Sequence, residues 1–264
     1  MTFAATLAAR KAHAGEPRFT TRIETWAARR VAIVTPRVSS EAASLPVLLL
    51  LHGLGETNDA DAGARAWPER YGLVSCLERL AQPPVRATQK RADLPADYAA
   101  RVNGELADRA LPPFAVVCPH MPNLQTPDAA RGYLPFLREL LAALPAPLDT
   151  SRVTLGGCSL GGFVSLECFL AAPDRFRGWA GVQNAIGVAG APRYAERLAA
   201  TKSRTFFVAT STEDPYRAAN EKLAAEIVAR GVRVTSHTFP GPHDQPWLRE
   251  VGTLALLHWF GRCV

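Results

Sequence analysis

Paired cysteines are missing from this chain. Cys76, Cys118, Cys158, Cys168 and Cys263 are odd in number and never fall in a C-x-x-C spacing. That pattern argues against a disulfide framework and against a zinc site, and reduced thiols in a cytoplasmic protein are the simpler expectation. Long apolar runs are missing too. The longest, Leu45 to Leu51, is far too short to span a bilayer. The first thirty residues carry Arg10, Lys11, Arg18 and Arg22 with no apolar core between them, so no secretory signal is expected. Nor is there a block of one charge. The net charge of +6 comes from basic residues scattered along the chain, without a basic stripe interleaved with aromatics, which disfavours a nucleic-acid partner. No His/Cys/Asp cluster has metal-ligand spacing and no glycine loop has a phosphate-binding pattern, so neither metal nor cofactor is expected. Internal repeats and low-complexity segments are also absent, and nothing specifies an oligomeric state.

The most informative stretch is Val153 to Phe163, VTLGGCSLGGF. Within it, Gly157-Cys158-Ser159-Leu160-Gly161 is a G-x-S-x-G motif, with an apolar β-branched run before it and a helix-compatible run, Val164 to Leu170, after it. Strand, tight turn, helix is the context in which that motif exposes a serine nucleophile. A side chain two positions from a residue on so sharp a turn would collide with it, hence the glycines at 157 and 161. The helix that follows directs its first N–H groups to where negative charge would develop.

The remaining pattern predicts an α/β chain. Phe19 to Glu24 and Arg30 to Val34 form a candidate hairpin, and residues 1–17 an Ala-rich lead-in. Leu45 to Leu51 is apolar without alternation, as in a strand buried on both faces. Strands are further expected at Phe114 to Cys118, Gly178 to Val182, Thr205 to Thr210 and Val232 to Phe239. Helices are expected over Arg131 to Leu144, Tyr194 to Thr201, Ala218 to Arg230 (ended by Gly231) and Leu248 to Phe260. Alternating strands and helices predict a mainly parallel, doubly wound sheet in one domain over 1–264. Residues 56–113 break the pattern, with helical stretches only at Tyr71 to Leu80 and Tyr98 to Ala107. They are expected as an insertion or lid over the carboxyl edge of the sheet.

A serine hydroxyl needs a base within hydrogen-bond reach. Among six histidines, His243 stands just after the last predicted strand, at the edge that carries Ser159. Asp214 follows the strand Thr205 to Thr210 at the same edge and can orient that imidazole, with Glu213 an immediate competitor and a helix N-cap the alternative role. The order Ser159, Asp214, His243 is the nucleophile, acid, base order of α/β-hydrolases. An oxyanion requires two fixed donors. The backbone N–H groups of Leu160 and Leu54 are the candidates, Leu54 lying in the Gly-rich turn His52-Gly53-Leu54-Gly55. Gly53, His120 and Trp247 are candidate substrate contacts. His52 is expected to hold the turn, His13 to be solvated and His237 to be packed in its strand, while His258 falls in the terminal helix.

The segments LLLLHGLGETND, LDTSRVTLGGCSLGGF, STEDPYRAANEKLAAEIVARG and FPGPHDQPW together resemble the esterase D-like branch of the α/β-hydrolase serine esterases, which also includes feruloyl esterase-type and mycolyltransferase-type domains. The resemblance runs from about residue 19 to the end. It implies an α/β-hydrolase fold, Ser159 as nucleophile, Asp214 as acid, His243 as base and oxyanion N–H groups from Leu54 and Leu160. The chain departs from the pattern at Gln245-Pro246, where an aromatic often stands, and in 56–113, which matches no motif. The expectation is a serine hydrolase acting on a small carboxylic ester. Acyl transfer or thioester cleavage by the same residues, and a non-catalytic ligand-binding homologue, are the alternatives.

Overall fold

The computed structural model describes residues 17–37, 44–201 and 204–264. Most of the lead-in and His13 therefore lie outside the described residues. Eight strands form one sheet: β1 (Phe19–Trp26), β2 (Arg29–Pro36), β3 (Leu45–Leu51), β4 (Ala115–Pro119), β5 (Leu148–Cys158), β6 (Gly178–Val182), β7 (Thr205–Glu213) and β8 (Val234–Pro242). Their order is β1-β2-β4-β3-β5-β6-β7-β8. β2 runs antiparallel to both its neighbours, and all pairs from β4 to β8 are parallel. The expected hairpin is present and tighter than the sequence suggested. Ala27 and Ala28 alone connect β1 to β2, both with positive φ (45° and 62°), the backbone twist that joins antiparallel strands in two residues.

The central strand shows why its sequence lacks alternation. Leu45, Val47, Leu49 and Leu51 face one buried cluster and Leu48 and Leu50 face the other, so every residue of β3 is covered. Both faces carry helices, and burial of this kind stabilises by about 1.5–3 kcal/mol per large apolar side chain. On the first face lie α4 (Pro127–Arg131), α5 (Leu134–Ala143), α6 (Leu160–Ala171), α7 (Ala191–Ala199) and α8 (Arg217–Ala229). On the second lie α2 (Leu73–Ala81), α3 (Ala96–Asp108) and α9 (Thr253–Cys263), the last reached through Gln245–Trp247 and a wide turn, Leu248–Gly252. No described helix is long and apolar enough to cross a membrane.

The stretch 56–113 is more regular than its sequence implied. Besides α2 and α3 it holds α1 (Ala60–Arg65) and a π-turn, Ala66–Arg70. Leu73, Cys76, Leu77 and Leu80 of α2 and Tyr98, Val102 and Leu106 of α3 pack into the core beneath the sheet. These helices form part of a layer of the fold.

β4 lies to one side of β3 and β5 to the other, so the chain reverses direction across the sheet between them. A crevice at the carboxyl ends of two such strands is where open α/β sheets take ligands. The turn after β3 and the turn after β5 both open there.

Candidate active site

Ser159 follows β5 directly and precedes α6. Its backbone has φ 52° and ψ −121°, a conformation an L-residue holds only when its surroundings enforce it. The enforcing contacts are short. A Cβ on Gly157 would lie 2.4 Å from the Gly161 carbonyl, and one on Gly161 would lie 2.3 Å from the Leu51 carbonyl. The Ser159 N–H donates to Val182 O at 3.0 Å, and its carbonyl accepts from Phe163 (3.2 Å) and Ala185 (3.0 Å). The side chain stays partly exposed at the N-terminus of α6.

His243 and Asp214 meet it there. His243 Nε2 lies 3.1 Å from Ser159 Oγ, and His243 Nδ1 lies 2.8 Å from Asp214 Oδ1. A carboxylate only accepts, so Nδ1 carries the proton and Nε2 is left to accept from the serine hydroxyl. Asp214 is buried and its oxygens are fully engaged: Oδ2 accepts from Thr210 Oγ1 at 2.6 Å, and Oδ1 also accepts from the Tyr216 N–H at 2.9 Å. Glu213, its competitor in sequence, is exposed. β7 and β8 both run further than their sequence suggested, to Glu213 and Pro242, so His243 leaves directly from a strand end. Gln183, at positive φ (48°) after β6, braces that end. Its Nε2 donates to Ser211 Oγ at 2.7 Å and to Pro242 O at 3.1 Å.

Leu54 and Leu160 each occupy the first position of a helical segment, Leu54–Glu56 and α6, where a backbone N–H has no acceptor in its own helix. Neither N–H is therefore committed within its own helix. Gly53 lies close to the serine, since a Cβ on it would stand 3.7 Å from Ser159 Cβ. Its N–H is already spent, however, on Tyr71 Oη at 3.1 Å, and Tyr71 Oη donates in turn to the buried Glu56 carboxylate. Beneath the turn, the Met121 N–H donates to His52 Nε2 at 2.9 Å. His52 Nδ1–H must therefore donate to Gly53 O at 2.8 Å. Burial pushes the His52 pKa down to about 4, opposed by the bond to Gly53, so the ring is a neutral strut.

The two other expected substrate contacts are engaged within the protein. His120 stacks on His52 with centroids 5.7 Å apart, and its Nε2 is held by Thr57 O at 3.1 Å. Trp247 is fully buried against Phe239, and its indole N–H donates to Pro240 O at 2.9 Å. It supports the strand end that carries His243 and presents no surface to a ligand. Thr210, Gln183, Tyr71 and Glu56 were not singled out from sequence. Only Glu56 carried a signal, as an acidic residue in a glycine-rich turn.

No protein-family model and no curated protein sequence matches the chain. Solved structures do. A ferulic acid esterase superposes with a TM-score of 0.65 at 17% identity, over 93% of this chain and 98% of its own. The S-formylglutathione hydrolase of Staphylococcus aureus gives 0.64 at 14% identity, over 92% and 96%. The fluorophosphonate-binding serine hydrolase F of Staphylococcus aureus gives 0.61 at 12% identity, over 92% and 98%. At such identities the likeness establishes architecture: the chain has the α/β-hydrolase fold. Within that fold, the structures it is similar to include feruloyl esterases and an S-formylglutathione hydrolase, which match the esterase D-like and feruloyl esterase-type branch that its motifs resemble.

Proposed function

We propose that this chain is a serine hydrolase that cleaves small carboxylic esters through an acyl-enzyme on Ser159, with His243 as general base and Asp214 as the orienting acid. One observation carries the proposal. An unbroken path of hydrogen bonds, 3.1 Å and 2.8 Å long, runs from the Ser159 hydroxyl through His243 to a buried carboxylate.

The chemistry follows from that path. As Ser159 Oγ attacks the acyl carbon, its proton passes to His243 Nε2, and Asp214 stabilises the imidazolium that forms. The carbonyl π electrons move to oxygen, and the resulting oxyanion is met by the N–H groups of Leu54 and Leu160. The imidazolium returns the proton to the leaving alkoxide as the ester C–O bond breaks. Water then enters, gives a proton to Nε2 and attacks the acyl carbon. The second oxyanion collapses as the bond from the acyl carbon to Ser159 Oγ breaks, the imidazolium returns its proton to Oγ, and the acid leaves. His243, with its side chain 26% exposed, can be reached by both the leaving alcohol and the water.

The test is labelling with a fluorophosphonate probe beside a Ser159→Ala variant, with mass mapping of the adduct. One adduct on Ser159, absent from the variant, is expected. A folded wild-type chain that takes up no probe would count against an activated nucleophile.

A further inference from the structure

The connection between α2 and α3 crosses to the residues that follow His243 and is fastened there. The Thr88 N–H donates to the buried Glu250 carboxylate at 2.9 Å, and Gln89 Nε2 donates to Pro246 O at 2.9 Å. Between these tethers and α3 lies Arg91. Its two terminal nitrogens donate one to each oxygen of Asp244, both at 2.8 Å, and its Nε donates to Asp93 at 2.8 and 2.7 Å. Asp93 is 1% exposed, so the guanidinium, itself partly exposed, is tied to a buried carboxylate while its fork grips the residue next to His243. A two-pronged arginine–carboxylate contact fixes direction as well as distance.

Asp244 has a second task. It caps the helical run that follows, accepting the Trp247 N–H at 2.8 Å. Its position therefore sets where the chain turns after His243. The charges around the imidazole are few. Asp214 binds Nδ1, the Tyr216 ring stands 5.8 Å away, Asp244 is the next residue, and Glu56 is reached through Gln245 Nε2 at 3.3 Å. Glu56 is held by Tyr71 and by Arg70 at 3.4 Å, which leaves Asp244 as the carboxylate beside His243 whose charge Arg91 must cancel. Arg91 holds the Asp244 carboxyl below the usual carboxylate range. The Trp247 amide and the His243 ring act in the same direction, against the effect of partial burial.

We propose that Arg91 is a positioning residue for His243, acting through Asp244: it fixes the departure of His243 from β8 and offsets the Asp244 charge beside the imidazole that takes the Ser159 proton. The inference rests on the serine-hydrolase reading, and its test needs no knowledge of the substrate. The rate of Ser159 labelling by a fluorophosphonate is measured against pH for the full chain and for the Arg91→Ala, Arg91→Lys, Asp244→Asn and Arg91→Ala/Asp244→Asn variants.

An uncancelled carboxylate favours the imidazolium, so Arg91→Ala moves the acid limb of the profile to higher pH, by roughly 0.5 or more. Asp244→Asn moves it to lower pH, and the double variant returns it toward the wild-type position. Arg91→Lys keeps the charge and the limb but lowers the plateau rate, since an ammonium cannot form the fork. A purely structural role would slow labelling without opposite shifts. Asparagine caps a helix as well as aspartate does, so Asp244→Asn keeps the fold even if Arg91→Ala loses it. Labelling of the wild type with Arg91→Ala and Asp244→Asn limbs that coincide, or that shift the same way, would overturn the inference. A wild-type chain that does not label overturns the hydrolase reading instead.

Discussion

Asp214 holds five groups at once: the His243 ring, the Thr210 hydroxyl and the Tyr216 amide hydrogen-bond to its carboxylate, its own backbone N–H donates to Ser211 O at 3.2 Å, and its carbonyl accepts the Arg217 N–H at 3.0 Å. In the proposed mechanism a carboxylate so placed would do two things for the imidazole, fixing the tautomer and balancing the charge that would appear when the serine proton arrives. Asp214→Asn keeps the shape and loses both, because an amide nitrogen can donate to Nδ1 and force the proton onto Nε2. Hydrolysis of p-nitrophenyl acetate by this variant should fall by on the order of 10³–10⁴, with a smaller loss of thermal stability because the Tyr216 N–H loses its acceptor. Glu213→Gln should leave the rate where it is. The three proposed reacting side chains were legible in the sequence because each follows a strand at the same edge, in an order that few chains share. Their supports were not legible. Tyr71 meets Gly53, and Arg91 meets Asp244 from a distant part of the chain, through ordinary residue types that no local spacing marks. Tyr71 gives a separate prediction. Tyr71→Phe frees the Gly53 N–H and unseats Glu56, loosening the turn that carries the Leu54 donor. Because that donor matters most once the oxyanion exists, kcat for the same ester should drop about tenfold while KM holds. A rise in KM at constant kcat would mean that the turn binds the ground state.

At the scale of the element, the turn between β5 and α6 is a contact between backbones. The sequence put the strand at Val153 to Leu155 and the helix from Val164. The structure extends the strand to Cys158 and starts the helix at Leu160. Glycines hid both ends, since Gly156, Gly157, Gly161 and Gly162 weaken strand and helix propensity where β3, β6 and the segment after β6 press closest. A Cβ on Gly156 would stand 2.6 Å from Ala180 O, and one on Gly162 would stand 2.1 Å from Asn184 Oδ1. This close packing reverses the sign of a common substitution. In an exposed helix Gly→Ala stabilises by about 1 kcal/mol. Gly161→Ala should destabilise by about 1–3 kcal/mol or more, because the new methyl meets the carbonyls of Leu51 and His52 at 2.3 and 2.4 Å, and neither can move without displacing β3. Gly55, with nothing within 4 Å of its Cβ position, is the control, and its Ala variant should stay within about 0.5 kcal/mol of wild type. Urea midpoints of the two variants decide the matter, and equal midpoints would refute the packing account.

Over the whole molecule, three imidazoles are packed in or against the core and take no part in the Ser159–His243–Asp214 hydrogen-bond path. His52 lies under the turn after β3, His237 stacks on Phe239 with centroids 5.2 Å apart, and His258 of α9 faces Glu105 at 3.3 Å. Burial pushes each of their pKa values down to about 4, outweighing the pull of Glu105 on His258. The sign of the consequence is fixed by linkage. Between pH 6.5 and 4 the unfolded chain takes up a proton at each histidine and the folded chain does not, so stability falls as pH falls through that window. Each histidine contributes up to about 1.4 kcal/mol per pH unit there, and His52, which has no exposed surface, should account for roughly 3 kcal/mol by pH 4. The carboxylates act lower. Asp59 and Asp244 are held below their ordinary value of 3.8, Asp59 chiefly by the Ala62 amide and Asp244 by Arg91, so what they add is present above that value and is lost only beneath it. The range from pH 6.5 to 4.5 therefore belongs to the histidines. Urea unfolding should show the free energy rising steeply with pH across it and levelling above about 7. A flat profile between pH 4.5 and 6.5 would mean that these rings are reached by water, and the two-layer core would have to be looser than its packing implies.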